Sequence, residues 1–206
     1  MPTRSLPVHE RASDEALYPL ARGGDLRAFD VLYRRYEGRL FGFLLRMVRH
    51  RQDAEDLFHE TFLCVLRSRE VTFDQATFAT WLFRVARNQA LNHLRSARRK
   101  LAAGASLASE LTADGLTGDP LATPAAALDL QLAQRQGDAD LQRALTQLPP
   151  GLLDVYRLRT AGMSYEQMAT ALDIPIGTVK SRMNQMTQRL QAHLQTAHDR
   201  WGEEKE

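Results

Sequence analysis

Between Asp25 and His50 apolar residues recur at Phe29, Leu32, Tyr33, Tyr36, Leu40, Phe43, Leu44 and Met47, the three-and-four spacing of one long amphipathic helix. Gly23 and Gly24 precede it, and Asp25 carries the side-chain oxygen that suits its cap. A second helix is expected to open at Asp53, with Asp56 near the free amide groups, to turn Ala54, Leu57, Phe58, Thr61, Phe62 and Val65 inward, and to end near Ser68. After the loop "REVTFDQAT", Phe78, Leu82, Val85, Ala86 and Leu94 define a third long helix that runs into "RSARRK". No alternating pattern competes, so the chain reads as all-α.

The composition then shifts. "LAAGASLASELTADGLTGDPLATPAAALD" is rich in Ala, Gly, Thr and Leu, holds Pro120 and Pro124, and lacks a sustained helical stripe before about Ala125, which is how a linker reads. It separates two small helical domains, 13–100 and 138–198, with 101–137 as an acidic flexible linker, 1–12 as a disordered start and 199–206 as a tail. In the second domain Leu141, Ala144, Leu145 and Leu148 pattern as a helix stopped by "PPG", and a helix from Leu152 to Ala161 ends at Gly162, a natural left-handed terminator.

"SYEQMATALDIPIGTVKSRM" then reads as two short helices around a tight turn. Ser164 and Gln167 have capping-box spacing and start a helix expected to bury Met168, Ala169 and Leu172; Asp173 tolerates a left-handed turn, and Pro175 suits the opening of the next helix. There Val179, Met183, Met186, Leu190 and Leu194 form the buried stripe. Gly177, Thr178, Lys180, Ser181, Arg182, Asn184 and Gln185 are left outside. That outer set suits a major groove: small residues allow close approach, Lys and Arg meet phosphate or guanine, and Asn and Gln pair with adenine. The bland alternative is a solvated polar face.

Charge sharpens the picture. A formal net charge of +2 hides blocks of one sign. From Ala76 to Ser109 there is no Asp or Glu, while Arg84, Arg87, Arg95, Arg98, Arg99 and Lys100 all fall there; Glu110, Asp114, Asp119 and Asp129 are the only charged residues between Leu101 and Gln134. The single cysteine, Cys64, sits among Phe62, Leu63, Val65 and Leu66 and is expected to be a buried thiol. No apolar run approaches membrane-spanning length and the start lacks a secretion signal, so a cytoplasmic location without membrane insertion is expected. "HETFL" has Leu63 where a zinc protease needs its second His, the remaining histidines form no ligand spacing, and there is no Gly-rich phosphate loop. No metal, cofactor or enzymatic activity is expected.

"ARGGDLRAFDVLYRRYEGRLFGFLLRMVRHRQDAEDLFHETFLCVL" with "FATWLFRVARNQALNHLR" resembles domain two of the bacterial extracytoplasmic-function sigma factors, and "RALTQLPPGLLDVYRLRTAGMSYEQMATALDIPIGTVKSRM" resembles domain four, in the same order. The resemblance implies a dissociable initiation subunit that binds core RNA polymerase, recognises two elements of promoter DNA, helps open the duplex and is held by an anti-sigma protein. It puts core binding on "DAEDLFHETF", with Asp53, Glu55, Asp56, Leu57, Glu60 and Phe62. An acidic, partly apolar helix face suits a basic partner.

The resemblance puts the downstream element and melting on the third helix, with Trp81, Arg84, Arg87, Asn88, Asn92 and Arg95. Aromatic, cationic and amide groups together hold opened strands. Phe78 reads more readily as core. Arg98, Arg99, Lys100 and Arg182 supply phosphate attraction, and Gly177, Thr178, Lys180, Ser181, Asn184 and Gln185 the upstream element. In this family the linker threads toward the polymerase active-site and RNA-exit channels; a passive tether is the other reading of the segment. Asn92 stands where the family often has Asp, and Asn184 and Gln185 where it often has a basic residue. A stand-alone helix-turn-helix regulator, or a sigma mimic that only binds an anti-sigma protein, would use parts of the same pattern.

Overall fold

The computed structural model describes residues 8–68, 73, 76–102 and 139–203. Among them every regular element is a helix: α1 (Val8–Arg11), α2 (Asp14–Arg22), α3 (Leu26–Val48), α4 (Arg51–Arg67), α5 (Phe78–Ala102), α6 (139–146), α7 (Pro150–Thr160), α8 (Tyr165–Leu172) and α9 (Ile176–Glu203). Apart from Leu101 and Ala102, which continue α5, the expected linker lies outside the described residues.

The chain gathers into two compact units. One holds the described residues through α5 together with Arg157–Ile176; the other holds 139–156 and the chain from Gly177 onward.

The first unit is a bundle in which α2 packs on α3, α3 on α4 and α5, and α4 on α5. Its core is aromatic and aliphatic: Leu17, Tyr18, Leu40, Phe43, Leu44, Phe78, Leu82 and Phe83 are all but sealed from solvent. The α3 stripe is buried at Leu32, Tyr36, Leu40, Phe43, Leu44 and Met47, while Phe29 and Tyr33 stay half-buried at its edge. Asp25 caps α3 by accepting from the amides of Arg27 and Ala28 at 2.9 and 3.1 Å. The Ala28 amide first, and then His9, hold its carboxyl below the usual carboxylate value.

Residues 8–11, within the span expected to be disordered, form a helical turn. Arg35 holds it by donating to the carbonyls of Glu10 and Ala12 and to Asp14. Tyr36 donates to the other Asp14 oxygen, and burial followed by that bond pushes its phenol well above the usual range.

Two sequence expectations for α4 are corrected. The helix starts at Arg51 rather than Asp53, because extended His50 caps it: its Nδ1 accepts from the Asp53 amide at 3.4 Å. Asp53 falls instead in the first turn, where a carboxylate favours the helix dipole. Cys64 is exposed. The buried residues Ala54, Leu57, Phe58, Thr61, Phe62 and Val65 are the expected six, but at about 100° per residue Cys64 falls a quarter-turn off the centre of that stripe.

Tertiary bonds fix α5. The Phe78 amide, one of the donors a helix start leaves unpaired, reaches Glu15 Oε1 of α2 at 3.0 Å. Buried Thr61 lies 2.7 Å from the Leu57 carbonyl and 2.6 Å from the Gln89 amide. The Thr61 hydroxyl faces two acceptors, the Leu57 carbonyl and Gln89 Oε1, and the second contact ties α4 to α5.

The cap and turn of the helix-turn-helix form as their spacing predicts, but α8 buries Met168 and Ala171, with Ala169 and Leu172 only partly covered. Ser164 and Gln167 complete both halves of the capping box, and Asp173 takes the left-handed turn at φ 55°. Gly162 ends the preceding segment at φ 82°. Ser164→Ala should lower stability by about 1 kcal/mol, the usual cost of losing such a cap, read as a shift in the urea midpoint with unchanged slope.

In the second unit Leu145, Leu148, Leu152 and Met186 form the core, with Leu141, Leu153, Tyr156, Met183 and Leu190 packed against it. Leu194, expected in the same stripe, is 38% exposed. It lies a turn beyond Leu190, the last α9 residue on that cluster.

Candidate nucleic-acid interface

Along α5, Trp81, Arg84, Asn88, Asn92, Arg95 and Arg99 are spaced three or four apart and therefore share one face. Arg84, Asn88, Asn92, Arg95, Arg98, Arg99 and Lys100 are exposed. Trp81 is half-buried, its ring seated against Tyr18 at 5.3 Å and Phe78 at 6.1 Å, so it presents an edge held from beneath. Asn92 accepts from Arg95 at 3.4 Å. Arg87 stands apart: it is half-buried and about a third of a turn off this face. The face joins an aromatic edge, amides and cations without a carboxylate, the mixture that holds a single strand by stacking and phosphate contact.

On α4 the residues grouped by sequence separate into two sets. Leu57 and Phe62 are 3% and 4% exposed and belong to the core, where Phe62 meets Phe29 and Phe58 at 5.9 and 5.2 Å. Asp56, His59, Glu60, Leu63, Cys64 and Arg67 form the outward face, with Leu63 47% exposed between the acids and the basic end. Glu55 pairs with Arg51 at 2.9 Å, and Asp53 is flanked by His50 and His93 at 3.5 and 3.2 Å. His59, Leu63 and His93 were absent from the sequence-level site. The first two lie at helical spacing from Asp56 and could have been read; the His93 pairing joins two helices and carries no local signal.

In the helix-turn-helix, Gly177, Lys180, Ser181, Asn184 and Gln185 are exposed and Thr178 is partly so. Nothing lies within 4 Å of where a Gly177 Cβ would stand, so the backbone there is open to close approach. Arg182 is half-buried, its guanidinium 3.3 Å from the Cβ position of Gly151 at the start of α7. Among the described residues no group of His, Cys, Asp and Glu could hold a metal ion, and no helix is long and apolar enough to cross a membrane.

These elements define an all-α protein that pairs a helix-turn-helix with a separate long basic helix. The model of Sigma-70 region 2 matches residues 32–100 and that of Sigma-70, region 4 matches 138–190. Over 183 residues the chain is 31% identical to the RNA polymerase sigma-H factor of Pseudomonas aeruginosa, covering 88% of this chain and 94% of that protein. It is 31% identical over 199 residues to the ECF RNA polymerase sigma-E factor of Haemophilus influenzae, covering 90% and 97%. The chain belongs to the sigma-70 family, in its extracytoplasmic-function group.

The fold is shared with CnrH, solved in complex with the cytosolic domain of CnrY (TM-score 0.63, 22% identity, 90% of this chain and 99% of that one). It is also shared with the sigma factor RpoE solved with the anti-sigma factor NepR from Bartonella quintana (TM-score 0.59, 23% identity, 81% and 96%).

Proposed function

We propose that this sigma factor docks on core RNA polymerase through the outward face of α4, holds the opened downstream element along α5, and reads the upstream duplex with the start of α9. The observation that carries this reading is the order of the two family matches, region 2 over α3–α5 and region 4 over the helix-turn-helix, each with an exposed face of fitting chemistry. Core binding and melting fall to 13–100 and upstream recognition to 138–198, with 101–137 between them. The protein acts in the cytoplasm, where polymerase and promoter are, and catalyses no reaction itself. An anti-sigma protein holds it inactive, a reading supported by the sigma factor RpoE of the same fold having been solved with the anti-sigma factor NepR. Run-off transcription with purified core polymerase and promoter fragments tests the reading. Sequence-specific duplex binding with no polymerase association would replace it with a stand-alone regulator.

Two single substitutions separate the DNA roles. Asn88→Ala removes an exposed amide from the α5 face and should leave closed-complex formation intact while lowering permanganate reactivity of thymines in the opened region. Lys180→Ala removes an exposed cation from α9 and should weaken binding to upstream duplex and flatten its salt dependence, because fewer counterions are released. Each effect should amount to about 1–3 kcal/mol. A template pre-opened by mismatches should rescue the first variant and not the second; equal rescue of both would remove the division of labour.

A further inference from the structure

The match to region 2 opens at residue 32, so α2 lies ahead of it, yet two α2 side chains reach the start of α5. Glu15 accepts from the amide of Phe78, the first residue of α5, at 3.0 Å. Three residues on, and therefore on the same side of α2, Tyr18 is 2% exposed. The half-buried ring of Trp81 stands on it at 5.3 Å with the two planes at 67°. Phe78 and Phe73, the latter from the connection between α4 and α5, meet the same Tyr18 ring at 5.6 and 5.4 Å. Tyr18 is thus the one α2 ring on which the aromatic edge of the α5 face rests.

A phenylalanine would supply that ring equally well; the hydroxyl has a separate use. Tyr18 Oη lies 2.6 Å from Ser68 Oγ, and Ser68 Oγ donates to the Val65 carbonyl at 2.7 Å. A carbonyl can only accept, so the Ser68 proton goes to Val65 and the proton of the other bond belongs to Tyr18. Val65 is among the last four residues of α4 and Ser68 caps its end, where carbonyls have no partner within the helix. A relay of two hydroxyls therefore runs from α2 into the end of α4. With its ring packed on three aromatic neighbours and its hydroxyl bonded, Tyr18 is held in one orientation, and Trp81 with it.

Base stacking needs an aromatic group already set at a fixed angle, because ordering it at the moment of capture weakens binding. We infer that Tyr18 is a positioning residue for strand capture: its ring seats Trp81, and its hydroxyl relay through Ser68 fixes that seat to the end of α4. The inference rests on the proposed role of α5.

Tyr18→Phe keeps the ring and removes the relay. With the full chain assembled on core polymerase, it should leave closed-complex formation unchanged and slow promoter opening, read by permanganate reactivity of thymines, about fivefold, as expected for one lost hydrogen bond. Ser68→Ala should slow opening similarly, and the double variant should be no slower than the slower single, since both cut one relay. In the free full chain carrying Trp201→Phe, which leaves Trp81 as its one tryptophan, Tyr18→Phe should add a fast component to the anisotropy decay of Trp81. A role in stability alone would lower the urea midpoint and move neither readout at a temperature where the chain stays folded. Opening at the wild-type rate, an unchanged anisotropy decay, or closed-complex formation falling in step with opening would each overturn the inference. Failure of the wild type to open a promoter strikes the sigma reading and the inference with it. Equal opening by the wild type and Tyr18→Phe strikes the relay alone.

Discussion

Reversing two charges on α4, Asp56→Arg with Glu60→Arg, should weaken binding to core polymerase about a hundredfold or more while leaving the fold intact. Both side chains are exposed and four residues apart on the outward face, so their replacement should move folding stability by no more than about 0.5 kcal/mol each. The partner surface that an acidic face fits is basic, and placing like charges against it costs several kcal/mol; a hundredfold change in Kd corresponds to about 2.7 kcal/mol. A binding titration with labelled sigma at two salt concentrations checks both parts. The wild type should lose affinity as salt rises, and the variant should be weak at low salt already. An unaltered Kd would move the docking surface off α4.

The largest effect on stability is expected at Phe78. Its side chain is fully buried and its ring meets Tyr18 at 5.6 Å, Tyr36 at 5.5 Å, Phe73 at 6.1 Å and Trp81 at 6.1 Å, so it joins α2, α3 and the start of α5. Phe78→Ala should cost about 3–5 kcal/mol, the sum of lost transfer energy and the cavity left among those rings. Chemical denaturation measures it directly. Because Trp81 rests on the same cluster, strand binding should fall with stability, and Phe78→Leu should recover most of both. A loss below about 1 kcal/mol for the alanine variant would mean that the neighbouring rings close over the gap.

Helical spacing alone located the buried stripes of α3 and α4 and the turn of the helix-turn-helix, because each depends on residues within a few positions of one another. Ser164, Gln167 and Asp173 do locally what their side chains favour. The errors fall at margins and ends. Cys64 lies beside the stripe rather than in it, Leu194 lies past the last residue on its cluster, and His50 caps α4 with a ring nitrogen where the pattern favoured an aspartate three residues on.

The helical pattern turned Leu57 and Phe62 inward, as the structure has them; it was the resemblance that grouped them with acids that point the opposite way. The bonds from Arg39 to the Ala161 carbonyl and from Arg157 to the Arg46 carbonyl were beyond reach for a different reason. They join residues 122 and 111 positions apart, and nothing near Arg39 or Arg157 distinguishes either from a solvated surface cation.

The unbroken length of α5 sets a bound on how much nucleic acid it can engage. From Trp81 to Arg99 the helix advances about 27 Å at 1.5 Å per residue, roughly eight nucleotide steps of a strand at 3.4 Å each. Five exposed cations lie along that run and just past it: Arg84, Arg95, Arg98, Arg99 and Lys100. With each neutralised phosphate contributing about −0.7 for a single strand, the logarithmic salt slope of strand capture by α5 cannot be steeper than about −3.5. If α5 takes the strand as proposed, it measures out less than one duplex turn, and any steeper dependence of the open complex comes from charges on other surfaces.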